Sequence, residues 1–251
     1  MIVGKSMQDH HESKRFGFVN NFDKKPKRRL FDMLKSQGLQ MNQGITFLSD
    51  GGDTVRDLQL YLSPTAEHYL DWFHVTMRIT VMTQMAKGLS HIEGLEKIEK
   101  ELERIKWFLW HGNVFMALQT IEFLQMDLEI VESDMPDNVK LRKLLKAANE
   151  FYGYISNNRD FIPNYGDRYH YGESISTAFV ESTVNEVISK RMVKKQQMRW
   201  TTEGAHLLLQ IRTKTLNDEL RDKFCEWFPG MVKTENKLKS SDQTIPSVTL
   251  H

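Results

Sequence analysis

The chain carries a single cysteine, Cys225, among its 251 residues. One thiol excludes an internal disulfide and any zinc site built on several cysteines, and it fits a reducing compartment. Long apolar runs are missing too. No stretch approaches the roughly 20 residues that a membrane-crossing helix needs, and the first residues lack the apolar core of a signal peptide. The expected location is the cytoplasm, with no membrane partner. An excess of charge is also absent, because 34 Lys and Arg stand against 33 Asp and Glu, a formal net charge of +1. Global charge therefore gives no pointer to a nucleic-acid partner, and any such argument rests on local clustering. There is no internal repeat. What is present is an ordinary hydrophobic fraction of 40%, enough for the core of one large domain or two small ones.

The first third reads as alternating strands and helices. A short apolar stretch from Ile2 and a second from Phe16 to Val19 are strand candidates. A helix is predicted over about 27–35, started by Pro26 and stopped by Gly38, with Leu30, Phe31 and Leu34 on one buried face. Ile45 to Leu48 reads as a buried strand ending in the acidic, flexible turn Ser49-Asp50-Gly51-Gly52. A helix over 54–61, a strand around 69–73 and a helix over about 76–85 follow, giving the order β-β-α-β-α-β-α.

From Ile92 to about Ser156 the period becomes helical, with Leu95, Ile98, Leu102, Ile105, Phe108 and Leu109 recurring at threes and fours. Three helices are predicted: one to about Trp110, one over 113–131 and one over 138–154. Trp107, Phe108, Trp110, Phe115 and Phe123 are expected to pack on one another, with any exposed share free to join two copies. Residues 157–173, rich in Asn, Gly, Tyr and Asp, read as an ordered but irregular loop. Two more helices are predicted, over about 177–193 and 202–213, the second capped by Thr201 or Thr202. Beyond Pro229 the composition turns polar and a loosely held tail is expected.

Metal-dependent phosphodiester chemistry uses two divalent cations about 3.5–4 Å apart, held by carboxylate oxygens. Asp50 has a suitable address, since the C-terminal tip of a strand in an open α/β sheet faces the crevice where such folds place their sites. Glu181 and Asn185, four residues apart, would share one face of the helix that follows the helical insert. On spacing alone the bland readings prevail: Asp-Gly-Gly is a turn, and Glu181 a solvated helix residue.

Longer strings change that balance. MIVGKS at 1–6, FLSDGGDTVRDLQ at 47–59, LDWFHV at 70–75, WHGN at 110–113 and FVESTVNEVISKRMVKKQQMRWTTEGAHLLLQIRTKTLN at 179–217 resemble DDE-type transposases of bacterial insertion sequences, in the ISKra-type branch that is distantly similar to Mutator-like elements. The resemblance runs to about Pro229. It implies an α/β, RNase H-like (retroviral integrase-type) core with an all-helical insertion: core in 1–88, insertion in 89–156, core again in 157–229, and a polar tail in 230–251. It also implies that Asp50 and Glu181 are catalytic and ligate two Mg²⁺ or Mn²⁺ ions.

In relatives, the strand carrying the first catalytic Asp precedes the segment that matches IVGKS. The resemblance therefore implies a core lacking its first strand, an N-terminally truncated product inactive by itself. Asp9 and Asp23 lie in predicted loops after that point and do not take the role. Loss of a central strand would leave two neighbours with unpaired ladder groups. The implied activity is cleavage and strand transfer at insertion-sequence ends, with double-stranded DNA as partner and a homo-oligomer on that DNA in the bacterial cytoplasm. The alternative is an inactive remnant that binds DNA or co-assembles with a full-length copy.

Other motifs have two readings. Asp71 and His74 fall where relatives carry Cys or Asp, two residues, then His; they either support the active site or form a buried, satisfied pair. His111 is read as a helix C-cap rather than a base-contacting group, and Trp200 as core rather than a stacking platform. Lys190, Arg191, Lys194, Lys195 and Arg199, beside Glu181, are the expected DNA-phosphate contacts. Lys24, Lys25, Lys27, Arg28 and Arg29 form a second basic patch at a helix start, where cations oppose the helix dipole and an anionic partner would relieve them.

Overall fold

The observed order is the expected β-β-α-β-α-β-α: β1 (Ile2–Gln8), β2 (His11–Phe18), α1 (Pro26–Ser36), β3 (Thr46–Ser49), α2 (Asp53–Leu62), β4 (Glu67–Leu70) and α3 (Trp72–Lys87). Then come α4 (Ile98–Trp110), α5 (Val114–Asp134), α6 (Val139–Asn157), a 3-10 turn (Arg159–Phe161), α7 (Tyr165–His170), α8 (Thr202–Leu216) and α9 (Leu220–Trp227). The computed structural model describes residues 1–8, 11–40, 42–93, 97–178, 187–188 and 200–231. Among these the chain is mixed α/β and mostly helical, with two small sheets and no closed barrel. No helix among them is long and apolar enough to cross a membrane. Two compact units result, residues 1–40 with 182–251, and residues 41–181; the boundaries expected at 88 and 156 fall inside the second.

In the first unit β1 and β2 pair antiparallel, with Ile2 opposite Phe18, Gly4 opposite Phe16 and Ser6 opposite Lys14. Gly4 is there for space, since a Cβ at this position would overlap the Phe16 ring lying across the ladder. Helix α8 packs on β2 and satisfies its outer edge with side-chain amides. Asn217 accepts from the Arg15 N–H and donates to the Arg15 carbonyl, both at 2.8 Å, and Gln210 donates to the Gly17 carbonyl at 2.7 Å. These groups do for an edge strand what a third strand would do. Thr201 is the α8 N-cap, accepting from the Gly204 N–H at 3.0 Å. Helix α1 starts at Pro26 and fully buries Leu30; Phe31, expected on the same buried stripe, is exposed, because the short helix has a neighbour on one side. Trp200, expected in the core, is exposed as well.

In the second unit β3 and β4 pair parallel, from Thr46 opposite Glu67 to Ser49 opposite Leu70. Helices α3, α4, α5 and α6 form a ring in which α3 and α5 each pack on both α4 and α6. Each contributes residues at spacings of three and four to one core: Val75, Ile79, Met82 and Ala86 from α3, Leu102, Ile105 and Leu109 from α4, Ile121, Leu124 and Leu128 from α5, and Leu141, Leu144, Ala148, Phe151 and Ile155 from α6. The expected three-helix insertion thus gains α3 as its fourth wall.

The strand expected over 69–73 ends at Leu70, and the helix expected from about 76 begins at Trp72. The Asp71 carboxylate accepts from the Phe73 N–H at 3.0 Å and starts α3 at once; the apolar pair Trp72-Phe73 reads as strand without that cap. Inside the loop expected over 157–173 lie the 3-10 turn and α7. There the fully buried Tyr165 donates its hydroxyl to the Leu70 carbonyl at 2.7 Å and anchors the loop to β4. Trp107, Phe115 and Phe123, expected to pack together, are all more than half exposed. The described strands make two separate pairs, β1-β2 and β3-β4, rather than one sheet.

Candidate functional site

Strands β3 and β4 run parallel and end together, so the residues just past their tips are neighbours. The Asp71 N–H donates to the Ser49 carbonyl at 2.8 Å, which carries the ladder one step on and sets Asp50 and Asp71 on neighbouring tips. Their surroundings differ sharply. Asp50 is exposed, and one of its oxygens accepts from the Gly52 N–H at 3.1 Å, closing a short turn. The turn needs Gly51, whose φ is +85° and where a Cβ would lie 2.5 Å from the Asn158 side-chain oxygen. Arg56 braces it, donating to the Gly51 carbonyl at 3.3 Å and to Asn158 Oδ1 at 2.9 Å while its guanidinium lies 4.4 Å from the centre of the Phe161 ring. Ser49, buried under the turn, bonds His68 Nε2 at 2.9 Å, and burial, assisted by Arg56, lowers the pKa of that imidazole.

Asp71 is fully buried and fully committed. One oxygen accepts from the Phe73 and Thr177 N–H groups at 3.0 and 2.9 Å; the other bonds His74 Nδ1 at 2.8 Å and the Thr177 hydroxyl. Burial pushes its carboxyl up, but the bonds from His74, from the Thr177 hydroxyl and N–H, and from Phe73 outweigh it and hold the pKa below the usual carboxylate value. The carboxylate is buried and satisfied, while the imidazole it orients keeps a side-chain exposure of 32%.

Tyr154 lies near enough to Asp50 and Asp71 to feel both charges. Its hydroxyl is buried and finds no hydrogen-bond partner among the described residues. Burial raises its pKa; Arg78, whose guanidinium lies 4.2 Å from the ring centre, opposes that, and the charges of Asp50 and Asp71 add to the rise. The phenol stays a proton donor. Tyr154, Arg78, Arg56, Asn158 and Thr177 carry no local signal in the sequence, since each acquires its role through a partner distant in the chain.

Glu181, Asn185, Lys190, Arg191, Lys194, Lys195 and Arg199 lie outside the described residues. Among the described residues no group of three or more His, Cys, Asp or Glu could hold a metal ion. Asp50, exposed just past the tip of β3, is a hard oxygen donor of the kind Mg²⁺ or Mn²⁺ takes. Asp71 could ligate only by giving up bonds it already makes. His111 sits at the C-cap of α4 as expected, stacked on Trp107 with ring centres 6.1 Å apart. In the first unit, the cationic start of α1 is partly relieved by Asp23, which pairs with Arg29 at 2.6 Å.

Comparison of the chain with protein-family models, with curated proteins and with solved structures finds no match.

Proposed function

We propose that the chain is a DNA strand-transfer protein of the DDE transposase kind, with an RNase H-like core, acting on insertion-sequence ends and target DNA. The observation that carries this reading is the pair of hydrogen bonds that the Thr177 N–H and hydroxyl donate to the Asp71 carboxylate, just past the tip of β4. Thr177 precedes Glu181 by four residues, and four residues of chain reach at most roughly 14 Å.

Asp50 and Glu181 would hold the divalent cations, Mg²⁺ or Mn²⁺, which when bound lower the pKa of a nucleophilic water or 3′-OH and stabilise the leaving oxygen. Water attacks the phosphorus at the element end, the P–O3′ bond breaks and a free 3′-OH is released. That 3′-OH then attacks a target phosphorus, displaces the target 3′-oxygen and forms the new phosphodiester, with protons passing to solvent. No covalent protein intermediate is needed. Asp71 fixes the position of Thr177, and Lys190, Arg191, Lys194, Lys195 and Arg199 neutralise backbone phosphates.

A second reading, a remnant that binds DNA without cutting it, is favoured by Asp71, the carboxylate on the strand tip next to that of Asp50, whose oxygens are already taken up by Phe73, His74 and Thr177. One experiment separates the two. The purified chain is incubated with supercoiled plasmid and Mn²⁺, and its affinity for duplex DNA is followed by fluorescence anisotropy across a salt series. Nicking that Asp50→Asn and Glu181→Gln abolish, at unchanged affinity, supports the enzyme. Salt-dependent binding without nicking supports the remnant, and absence of both removes the two readings together.

A further inference from the structure

Helix α5 is apolar on two sides. Its inner side supplies Ala117, Ile121, Leu124 and Leu128 to the core, yet its outer side also carries large apolar groups: Phe115 is 73% exposed, Phe123 59%, Met126 56% and Ile130 65%. Met116, Gln119, Phe123, Met126, Ile130 and Ser133 follow one another at steps of three and four, the a and d spacing of a helix seam. Large side chains left in water at that spacing mark a face that a second helix covers.

The flanks of the seam say which helix. The positions beside it, e and g in heptad terms, are Phe115, Thr120, Glu122, Asp127, Glu129 and Asp134, the last four acidic, and the whole helix contains no Lys or Arg. Glu122 is steered along the flank by the Tyr152 hydroxyl, which donates to it at 2.7 Å. Two α5 helices face to face would set these acidic rows against each other, which disfavours a second copy of α5. The same charge repels a nucleic-acid backbone. We infer that the outer face of α5 is a docking site for a cationic amphipathic helix of a partner protein, which seats apolar side chains between Phe123, Met126 and Ile130 and sets Lys or Arg against Glu122, Asp127, Glu129 and Asp134. This surface lies on the helical bundle and does not rest on the chemistry proposed for the tips of β3 and β4.

The test uses the full chain and synthetic peptides of about three heptads with Leu at a and d, one with Lys at e and g and one with Glu there. Sedimentation and titration of labelled peptide are measured on the wild-type chain, on Phe123→Ser/Ile130→Ser and on Asp127→Lys/Glu129→Lys, all at exposed positions and checked for folding by circular dichroism. The Lys peptide should bind the wild type, more weakly as salt rises, and lose about tenfold or more in affinity on the serine variant. The charge-reversed variant should transfer its preference to the Glu peptide. The inference is overturned if the Lys peptide does not bind, if it binds the serine variant equally well, if charge reversal leaves the preference unchanged, or if the wild type sediments as a dimer that the serine substitutions dissociate.

Discussion

Two buried side chains set pH limits of opposite origin. The Asp71 carboxyl titrates below its usual value of 3.8 in the folded protein, so folding favours the ionised form. Its stabilisation is complete above about pH 4 and is lost as pH falls through the lowered folded value. Asp71→Ala removes a helix cap and strands its donors, and should cost about 2–4 kcal/mol of unfolding free energy in urea titrations. In the other unit the His206 imidazole, 5% exposed, accepts a hydrogen bond from the Val19 N–H through Nδ1 at 3.3 Å. Burial lowers its pKa, and of the neighbouring charges Asp23 opposes that and Arg29 assists it. Folding therefore favours the neutral ring. Its contribution is complete above about pH 6.5 and declines below that as the unfolded chain takes up the proton first. Hydrogen exchange should show the protection of the Val19 amide falling between pH 7 and pH 5, and His206→Gln should flatten the dependence.

At the scale of elements, the joins are made by single side chains. Asn217 bonds both backbone groups of Arg15 across 202 residues of sequence. Asn217→Ala should destabilise the first unit by about 1–3 kcal/mol, seen as faster exchange of the Arg15 amide. The turn after β3 depends on a left-handed glycine against Asn158, so Gly51→Ala is strained by backbone and by space and should cost about 1–3 kcal/mol in thermal or urea unfolding. Element types were legible because strand alternation and helical period are local. Helix α6 was expected over 138–154 and runs Val139–Asn157. The start of α3 was misread by a few residues because a cap is a side-chain bond, which an apolar pattern does not record. Helix α5 was read as a helix, but apolar residues on two of its sides leave period alone unable to say which face is covered.

For the molecule as a whole, each unit has its own core, and damage should stay where it is made. Leu128, with no exposed surface, belongs to the helical ring. Leu128→Ala should cost about 2–5 kcal/mol there and leave the protection of the Val19 amide unchanged. Of the candidate site, Asp50 was legible because the tip of a predicted strand is a local position. The bond from Asp71 to Thr177 was not, because it joins residues 106 apart and nothing near either one announces the other. The amino-acid order by itself determined which segments coil and which extend, and which side chains can be apolar together, since those preferences are settled within a few neighbouring residues. Tertiary structure decided which strands pair, which carboxylate is locked and which left open, and which side of α5 meets water, because each depends on groups that only folding brings within bonding distance.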